Sequence, residues 1–328
     1  MRYSFIIPVY NRPEEVDELL NSLTRQTNKN FEVLVVEDGS SVPCKEVVDN
    51  YADRLDICYY FKSNSGPGQT RNYGAERGHG EYLIILDSDC ILPEGYLAAV
   101  ESELQQQKAD AFGGPDRAHD SFTNIQKAIN YAMTSFFTTG GIRGGKKKMD
   151  KFYPRSFNMG VRAEVYKALG GFSKMRFGED IDFSIRIFQG GYACRLFPEA
   201  WVWHKRRTDL KKFFKQVHNS GIARINLYKK YPKSLKVVHL LPALFTIGIV
   251  FLLLYSLVCS WSLSLLLLFA LIICVDSTLR NKSFKIGLLS ILASFIQLIG
   301  YGTGFLRAWW KRLSLIHISE PTRLALIS

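Results

Sequence analysis

The chain has 328 residues, a formal net charge of +12 and six cysteines. Its length predicts one large domain or two modest ones. The cysteines form no C-x-x-C pair and show no metal-binding spacing, so we expect free thiols in a reducing compartment. Because the chain begins directly with a predicted strand and not with an apolar signal segment, we expect the first domain not to be secreted.

The positive charge is concentrated in one segment. Residues 205–236 are rich in Lys and Arg and contain a single acidic residue, Asp209. Nucleic-acid binding would require basic residues interleaved with exposed aromatic residues on a soluble domain. The basic segment here leads directly into long apolar tracts, and this arrangement favours anionic lipid headgroups over nucleic acid as the partner.

Predicted strands and helices alternate at the beginning of the chain. Short apolar runs typical of buried strands occupy residues 3–9, 31–36, 57–61 and 81–86. Helical segments are predicted between them, over residues 13–26, 43–54 and 66–77. This alternation is typical of a doubly wound α/β domain.

Polar side chains follow several of these predicted strands. Tyr10 and Asn11 follow the first strand, Asp38 ends the second, and Asp87 and Asp89 follow the fourth. Ligands of open α/β sheets bind beyond the carboxyl ends of the strands. Two carboxylates at such an edge suit a hard divalent cation that also holds substrate phosphates. The pattern favours a nucleotide pocket, whereas an ordinary polar turn is the alternative interpretation of the Asp-x-Asp sequence alone.

Two glycine-containing loops have less specific sequences. The loop over residues 64–72 lacks the G-K-[ST] ending of a P-loop, and it is not a G-x-G-x-x-G turn after the first strand. It either contributes to the pocket or is an ordinary loop. The second loop contains the run Lys146–Lys148, which is either a solvated face or a flap that contacts phosphates or lipid headgroups.

Further short elements are predicted after the fourth strand. Strands are predicted over 111–114, 156–161, 192–197 and 201–204. Helices are predicted over 93–106, 121–137 and 163–169. These elements extend the α/β domain beyond its first four strands.

Three further residues are candidates for chemistry. Glu179 and Asp180 begin a predicted helix, where the helix dipole favours acidic residues for structural reasons alone. The functional alternative is that one of them is a general base, which must lie near the reacting hydroxyl. His204 is either a structural residue or a metal ligand through a neutral ring nitrogen.

The second half of the chain predicts membrane association. A basic amphipathic helix over 209–230 either packs on the first domain or lies along an anionic membrane surface. Residues 237–259 and 262–275 are long enough to form a tight hairpin of two membrane-spanning helices. Residues 284–306 form either a third span or a re-entrant segment.

The basic residues that flank these apolar tracts predict an orientation. The segments 205–236 and 279–285 favour the cytoplasm, so we expect the first domain at the cytoplasmic face of the cytoplasmic membrane. A complete third span would place Arg307 and Lys311 outside, against this tendency. Residues 314–328 match nothing that precedes them and resemble a translated sequencing-adapter tail, so we expect them not to be native.

Five stretches in order give the chain a resemblance to a known family. They are Pro8-Val9-Tyr10-Asn11-Arg12, Val36-Glu37-Asp38-Gly39-Ser40, Gly66–Asn72, Asp87-Ser88-Asp89 and Gly178-Glu179-Asp180. With these stretches, residues 1–230 resemble a family 2 glycosyltransferase of the GT-A fold, with the basic helix at its end. The apolar region 237–306 resembles the membrane anchor of bacterial members that act on lipid-linked or cell-surface glycans in polysaccharide biosynthesis.

The resemblance implies a role in donor binding for five residues. Pro8, Tyr10 and Asp38 would border the base of a nucleotide diphospho-sugar. Arg71 would contact the base or a phosphate of the donor. Asp87 would contact the ribose.

The resemblance also implies a metal site and a base. Asp89, together with Asp87 and His204, would hold Mg²⁺ or Mn²⁺ beside the diphosphate. Asp180 would be the catalytic base, with Glu179 beside it, although the sequence leaves open which of the two accepts the proton. The implied reaction is metal-dependent transfer of a sugar with inversion.

The sequence also distinguishes a single sugar transfer from processive synthesis and from two alternative functions. The chain lacks the Q-x-x-R-W motif of processive synthases, since Gln216 and Arg224 occupy that region with different spacing and no Trp, so a single transfer is expected. A sugar nucleotidyltransferase would need a glycine-rich loop near the first strand, which is absent from the sequence at Tyr10–Pro13. A non-catalytic membrane scaffold that binds nucleotide-sugars is the remaining alternative. A scaffold of this kind is expected to lack one or more of the acidic site residues.

Overall fold

A computed structural model gives the architecture of the chain. It describes residues 3–117, 122–140 and 152–324, with side chains as far as Lys311. The Lys146–Lys148 run, for which a flap was one interpretation, lies outside the described residues.

The chain divides into two compact units. The α/β unit comprises Met1–His119 and Lys148–Lys205, and the helical unit comprises Asp120–Lys147 and Arg206–Ser328. The expected domain boundary near residue 230 therefore differs from the observed division. The basic helix belongs to the helical unit because its apolar side packs against the other helices of that unit.

The strands of the α/β unit form two sheets. In chain order they are β1 Tyr3–Val9, β2 Phe31–Asp38, β3 Ile57–Lys62, β4 Tyr82–Leu86, β5 Cys90–Ile91, β6 Ala111–Gly113, β7 Asp116–Arg117, β8 Asn158–Arg162, β9 Cys194–Leu196 and β10 Val202–His204. The larger sheet has seven strands in the order β3-β2-β1-β4-β8-β6-β9. The first four strands in chain order are mutually parallel, whereas β8 runs antiparallel to both of its neighbours. The predicted α/β fold is confirmed, with a mixed sheet.

The central strand β1 explains why the sheet is covered on both faces. Phe5 and Ile7 pack into the core on one face, and Ile6 packs into the core on the other. Successive side chains of a strand point to opposite faces, so a continuous apolar run must be covered twice. Helices supply this cover on each side of the sheet.

The antiparallel strand β8 depends on a glycine. A Cβ atom at Gly160 would lie 2.0 Å from Cζ of Phe112 on the adjacent strand β6. The absence of a side chain lets the Phe112 ring lie across β8, where it stacks on Phe197 with a centroid distance of 4.6 Å. This packing fixes the part of the sheet that follows β4.

The smaller sheet has the strand order β5-β10-β7. β10 pairs antiparallel with β5, and His204 lies opposite Cys90 in the register. This pairing brings His204 to the segment that follows β4, next to Asp89. The two-residue strands β5 and β7 were not predicted, because such short strands leave no periodic pattern in a sequence.

The helices divide between the two units. Those of the α/β unit are α1 Pro13–Thr24, α2 Lys45–Asp49, α3 Pro67–Ala75, α4 Tyr96–Gln106, α7 Ala163–Ala168 and α8 Glu179–Gln189. Those of the helical unit are α5 Asn124–Thr134, α6 Phe136–Thr139, α9 Leu210–Lys230, α10 Leu241–Tyr255, α11 Leu263–Asn281 and α12 Phe284–Leu324.

Glycines bring α9 and α12 into close contact. A Cβ atom at Gly221 would lie 2.2 Å from the carbonyl oxygen of Tyr301, and one at Gly304 would lie 2.0 Å from that of His218. Larger side chains at these positions would separate the helices. The basic helix α9 is therefore an integral part of the helical unit.

Two helical segments are long and apolar enough to span a membrane by length and composition. They are Ser260–Asn281, with 22 residues, and Phe284–Lys311, with 28 residues. The span predicted over 237–259 is shorter than expected, because α10 covers only the 15 residues Leu241–Tyr255, with Pro242 in its first turn. α12 continues without a break through the segment for which a re-entrant structure was considered. The non-native origin of residues 314–328 stays a prediction.

Candidate functional site

The predicted site residues lie along one edge of the larger sheet. The parallel strands β2, β1 and β4 are adjacent, so the residues that follow them are neighbours. Asp38 ends β2, Tyr10 follows β1, and Asp87 and Asp89 follow β4. Ligands of α/β sheets bind beyond such an edge. The convergence expected from the sequence is thus present in the fold.

The loop after β1 presents an aromatic side chain at this edge. Tyr10 is 53% exposed, whereas Pro8 inside the strand is half-buried. Asn11 has a φ of +53°, a left-handed conformation that Asn tolerates better than most residues. Its side-chain oxygen accepts hydrogen bonds from the backbone N–H groups of Ser41 and Val42 at 2.8 and 3.0 Å. The loops after β1 and β2 therefore hold each other in place.

Asp38 fixes the glycine-containing loop that opens α3. Its carboxylate accepts hydrogen bonds from the backbone N–H groups of Ser65 and Gly66, each at 2.9 Å, and from Nζ of Lys62. Burial disfavours the ionised carboxylate, but the bonds from Lys62 and Ser65 outweigh burial and lower the pKa of Asp38. An ionised Asp38 thus anchors the loop at the rim of the candidate pocket.

Arg71 connects two parts of the site. It lies in α3 and is 4% exposed. Its Nη2 donates to Oδ1 of Asp87 at 2.8 Å, and its Nη1 donates to Oε1 of Glu179 at 2.9 Å. The guanidinium also lies over the ring of Phe172, at 5.3 Å from the centroid. Arg71, for which the resemblance implied a donor contact, bridges the end of β4 and the start of α8.

The acidic pair at the start of α8 is held by two arginines. Gly178 precedes the helix with a φ of +82°, a conformation that favours glycine. Oδ1 of Asp180 accepts from the backbone N–H of Ile181 at 2.8 Å, and Oδ2 accepts from Nε of Arg155 at 2.6 Å. Glu179 instead pairs with Arg71. The adjacent carboxylates are therefore directed at different cations.

These partners act differently on the two acids. Burial raises the pKa of Glu179, although Arg71 opposes this effect. Burial also disfavours ionisation of Asp180, but Arg155 and the N–H of Ile181 outweigh it and lower the pKa of Asp180. Asp180 is therefore ionised at neutral pH, which is the form that a general base requires.

A small cluster of possible metal ligands lies beside Asp89. One ligand atom from each of Asp89, Cys90 and His204 lies within 4.8 Å of the others, and Oδ1 of Asp89 is 3.1 Å from Nε2 of His204. Nδ1 of His204 is buried and has no hydrogen-bond partner in the described part of the chain. A carboxylate oxygen and an imidazole nitrogen are suitable ligands for Mn²⁺. Asp89 and His204 therefore fit a divalent cation.

Two neighbouring residues fit the cation less well. Burial raises the pKa of the Cys90 thiol well above its usual range, and Sγ donates to the carbonyl oxygen of Phe157 at 3.3 Å. A protonated thiol is a poor metal ligand, since the thiolate is the binding form. Asp87 is outside this cluster, and its Oδ1 is bonded to Arg71.

Three cations that pair with the predicted acids were not identified from the sequence. Arg12 donates from Nη1 to Oδ2 of Asp89 at 2.5 Å, Lys62 pairs with Asp38, and Arg155 pairs with Asp180. Arg12 stands in the Tyr-Asn-Arg stretch that follows β1, so its position at the sheet edge was a usable signal. The sequence around Arg155 contains no comparable signal.

Comparison with known proteins identifies the family of this chain. The sequence pattern of "Glycosyl transferase family 2" matches residues 4–170, half of the chain. The chain belongs to glycosyl transferase family 2. The matched region ends before α8, so the acidic pair and His204 lie outside it.

Individual relatives carry consistent names. A protein from Rickettsia felis named "uncharacterized glycosyltransferase" is 32% identical over 137 residues, which are 42% of this chain and 22% of that protein. Glycosyltransferase AglE from Haloferax volcanii is 27% identical over 259 residues, covering 72% of this chain and 79% of AglE. The matched part of this chain thus spans about a fifth of the length of the Rickettsia protein.

A solved structure shares the fold. The mannosyltransferase PcManGT from Pyrobaculum calidifontis, in complex with GDP-Man and Mn²⁺, aligns with a TM-score of 0.66 at 17% identity. The alignment covers 94% of this chain and 87% of that chain. At this identity the likeness shows the fold, and the GT-A fold expected from the sequence is confirmed.

Proposed function

We propose that the protein transfers a single sugar, with inversion, from a nucleotide diphospho-sugar to a hydroxyl of a lipid-linked or cell-surface glycan. The observation that carries this proposal is the bridge of Arg71 between Asp87 and Glu179. Asp87 belongs to the edge where a nucleotide would bind, and Glu179 adjoins the candidate base Asp180. The bridge supports the proposal because it joins the residues that would hold the donor to those that would accept the proton, and sugar transfer requires both in one site.

The donor would bind across the carboxyl ends of β2, β1 and β4. Tyr10 is exposed at this edge and offers an aromatic face to a base. Asp38 and Asp87 offer carboxylate oxygens to base and ribose. GDP-Man in the complex of PcManGT is a donor of the proposed class.

Asp89 and His204 would hold Mg²⁺ or Mn²⁺ next to the donor's diphosphate. When bound, the cation supplies positive charge that stabilises the leaving diphosphate. Arg12 contributes a further positive charge at the same carboxylate. PcManGT was solved with Mn²⁺, and this supports the choice of ion.

Asp180 would perform the proton transfer. An acceptor hydroxyl oxygen forms a bond to the anomeric carbon from the face opposite the diphosphate, and the bond between that carbon and the diphosphate oxygen breaks. The nucleoside diphosphate leaves with the bonding electrons, while Asp180 takes the hydroxyl proton. One displacement from the opposite face inverts the configuration. The lowered pKa keeps Asp180 ionised for this role.

The acceptor would be presented at a membrane. Two helices of the helical unit have the length and composition of membrane spans, and the basic helix α9 suits anionic headgroups. We infer that the site works at the cytoplasmic face of the cytoplasmic membrane, where nucleotide-sugars are available. A lipid-linked glycan is the acceptor that such a location favours.

Donor hydrolysis tests this proposal on the full chain in detergent. UDP-, GDP- and dTDP-sugars are incubated with Mn²⁺, with and without chelator, and release of nucleoside diphosphate is measured. We expect metal-dependent release from one donor and its loss in Asp89→Ala. Asp53→Ala, at an exposed position, is the control and should retain release.

Three other results of this experiment would each have a different meaning. No release together with no nucleotide binding in calorimetry would refute the proposal and favour a non-catalytic scaffold. Release that persists at the full rate in chelator would refute the metal-dependent part alone. Clear binding without release would indicate that water is too poor a substitute for the acceptor hydroxyl. The assay would then be repeated with a lipid-linked acceptor.

A further inference from the structure

The pair formed by Arg155 and Asp180 has a specific geometry. Nε of Arg155 donates to one carboxylate oxygen of Asp180 at 2.6 Å, and the N–H of Ile181 donates to the other at 2.8 Å. The Asp180 side chain is 9% exposed, whereas that of Arg155 is 39% exposed. One donor to each oxygen leaves the carboxylate with a fixed direction and with lone pairs for a further proton.

The side chain of Arg155 is directed at Asp180 alone. Among the residues that the structure describes, it makes no other side-chain hydrogen bond or ion pair. Arg71, by contrast, joins two carboxylates, and Arg186 holds the carbonyl oxygens of Leu169 and Gly171. Those two arginines connect separate segments of the fold through several bonds, whereas the side-chain hydrogen bond of Arg155 goes to Asp180.

The charged groups around the pair make the ionisation of Asp180 dependent on Arg155. Glu179 adjoins Asp180 on α8, Asp116 acts on Arg155 from β7, and Arg71 is the second cation that faces Asp180. Removal of Arg155 would leave acidic groups in excess around a buried carboxylate. A carboxylate in such surroundings takes up a proton at a higher pH, since burial and like charge both disfavour ionisation.

We propose that Arg155 is a positioning residue for proton transfer, which keeps the Asp180 carboxylate ionised and pointing in one direction when an acceptor hydroxyl arrives. This inference rests on the proposed function, in which Asp180 is the base. It adds a residue that precedes β8 in the chain and lies outside the five stretches that gave the chain its resemblance to the family.

The pH dependence of donor hydrolysis tests this role. Full-length Arg155→Gln and Arg155→Lys are compared with the wild type, using the donor selected from the panel with Mn²⁺. We expect Gln to move the acidic limb of the kcat profile up by about one to three pH units, the usual effect of an opposite charge on a carboxylate. At any pH on this acidic limb the Gln variant then has a lower kcat than the wild type, with an unchanged donor KM, and Lys restores part of the rate.

A matched arginine provides the control. Arg162 donates to Asp110 at 3.0 Å and is 35% exposed, similar to Arg155, but the pair lies at the other end of β8. Arg162→Gln should leave the acidic limb unchanged. A pH profile of Arg155→Gln that matches the wild type, with Asp180→Asn inactive, would overturn the inference and leave the proposed function standing. Full activity of Asp180→Asn would instead refute the proposed base.

If no donor is hydrolysed, melting temperatures still test whether Arg155 and Asp180 act as a pair. The melting temperatures of Arg155→Gln, Asp180→Asn and the double variant are compared at pH 7. A functional pair predicts that the double variant melts no lower than the worse single variant, because each substitution breaks the same contact. Additive decreases in melting temperature would show that the two side chains do not act together, and would overturn the inference.

Discussion

The two units of the molecule differ in which side chains they bury and which they expose. The α/β unit buries charges at the edge of its sheet, with Arg71 4%, Asp89 8% and Asp180 7% exposed. The helical unit exposes apolar side chains, with Leu253 51% and Leu267 69% exposed. Buried charges and large exposed apolar surfaces are each unfavourable in water unless something compensates for them.

The compensation differs between the units, and the proposed function assigns a different partner to each. In the α/β unit the predicted acids have cationic partners within the protein, so the site is preformed for a charged ligand. In the helical unit no described part of the chain covers these exposed apolar side chains, and under the proposed membrane location lipid would remove this cost. Four substitutions test this comparison.

The largest expected effect concerns the base in the α/β unit. Asp180→Asn removes the proton acceptor while keeping its size, and we expect donor hydrolysis to fall by about 10²–10⁴-fold, the usual contribution of a general base. Calorimetry should show unchanged nucleotide binding, because Asp180 does not line the donor edge. Asp110→Asn, which breaks an ion pair elsewhere in the unit, is the control and should keep its rate. Full turnover in Asp180→Asn would remove it from the mechanism.

The second-largest expected effect is a loss of stability when the cation shared by two carboxylates is removed. Arg71→Met leaves Glu179 and Asp87 without their shared cation, and we expect a loss of about 3–5 kcal/mol in stability. Thermal unfolding of the full chain measures it. Arg54→Met, at an exposed position beside Asp53, should stay within about 0.5 kcal/mol of the wild type. Similar melting temperatures for both variants would show that the Arg71 bridge does not stabilise the fold.

A third substitution tests the medium around the helical unit. Leu267→Arg should cost about 2.5–3.5 kcal/mol in membrane insertion if α11 spans a bilayer. An insertion assay with glycosylation acceptor sites measures this cost, and Leu267→Ala is the control at the same position. If insertion of the Arg variant equals that of the Ala variant, Leu267 faces water and the comparison between the units fails.

The smallest expected effect concerns packing in the α/β unit and leaves the site chemistry intact. Gly160→Ala places a Cβ atom against the Phe112 ring, and we expect a loss of about 1–3 kcal/mol from overpacking. Gly95→Ala is the control, because a Cβ atom there would have no neighbour within 4 Å. Thermal unfolding compares the two. An unchanged melting temperature in Gly160→Ala would show that β8 shifts freely relative to β6.

Local sequence patterns were sufficient to locate the first four strands, the helices between them and the polar groups at the strand ends. A short, continuous apolar run such as Tyr82–Leu86 is typical of a strand that is buried on both faces, and residues that follow parallel strands meet at one edge. Asp38, Asp87 and Asp89 could therefore be placed in one site before the fold was known. The long apolar tracts likewise predicted helices that cross or line a membrane.

Only the tertiary structure decided which cation meets which acid. Arg12 and Asp89 are separated by 77 positions in the chain, and Arg155 and Asp180 by 25. Such pairs depend on the path of the chain between them and leave no local pattern in the sequence. The same holds for His204, which reaches Asp89 through the two-residue strand β5, and for α9, which joined the helical unit because glycines let α12 approach it.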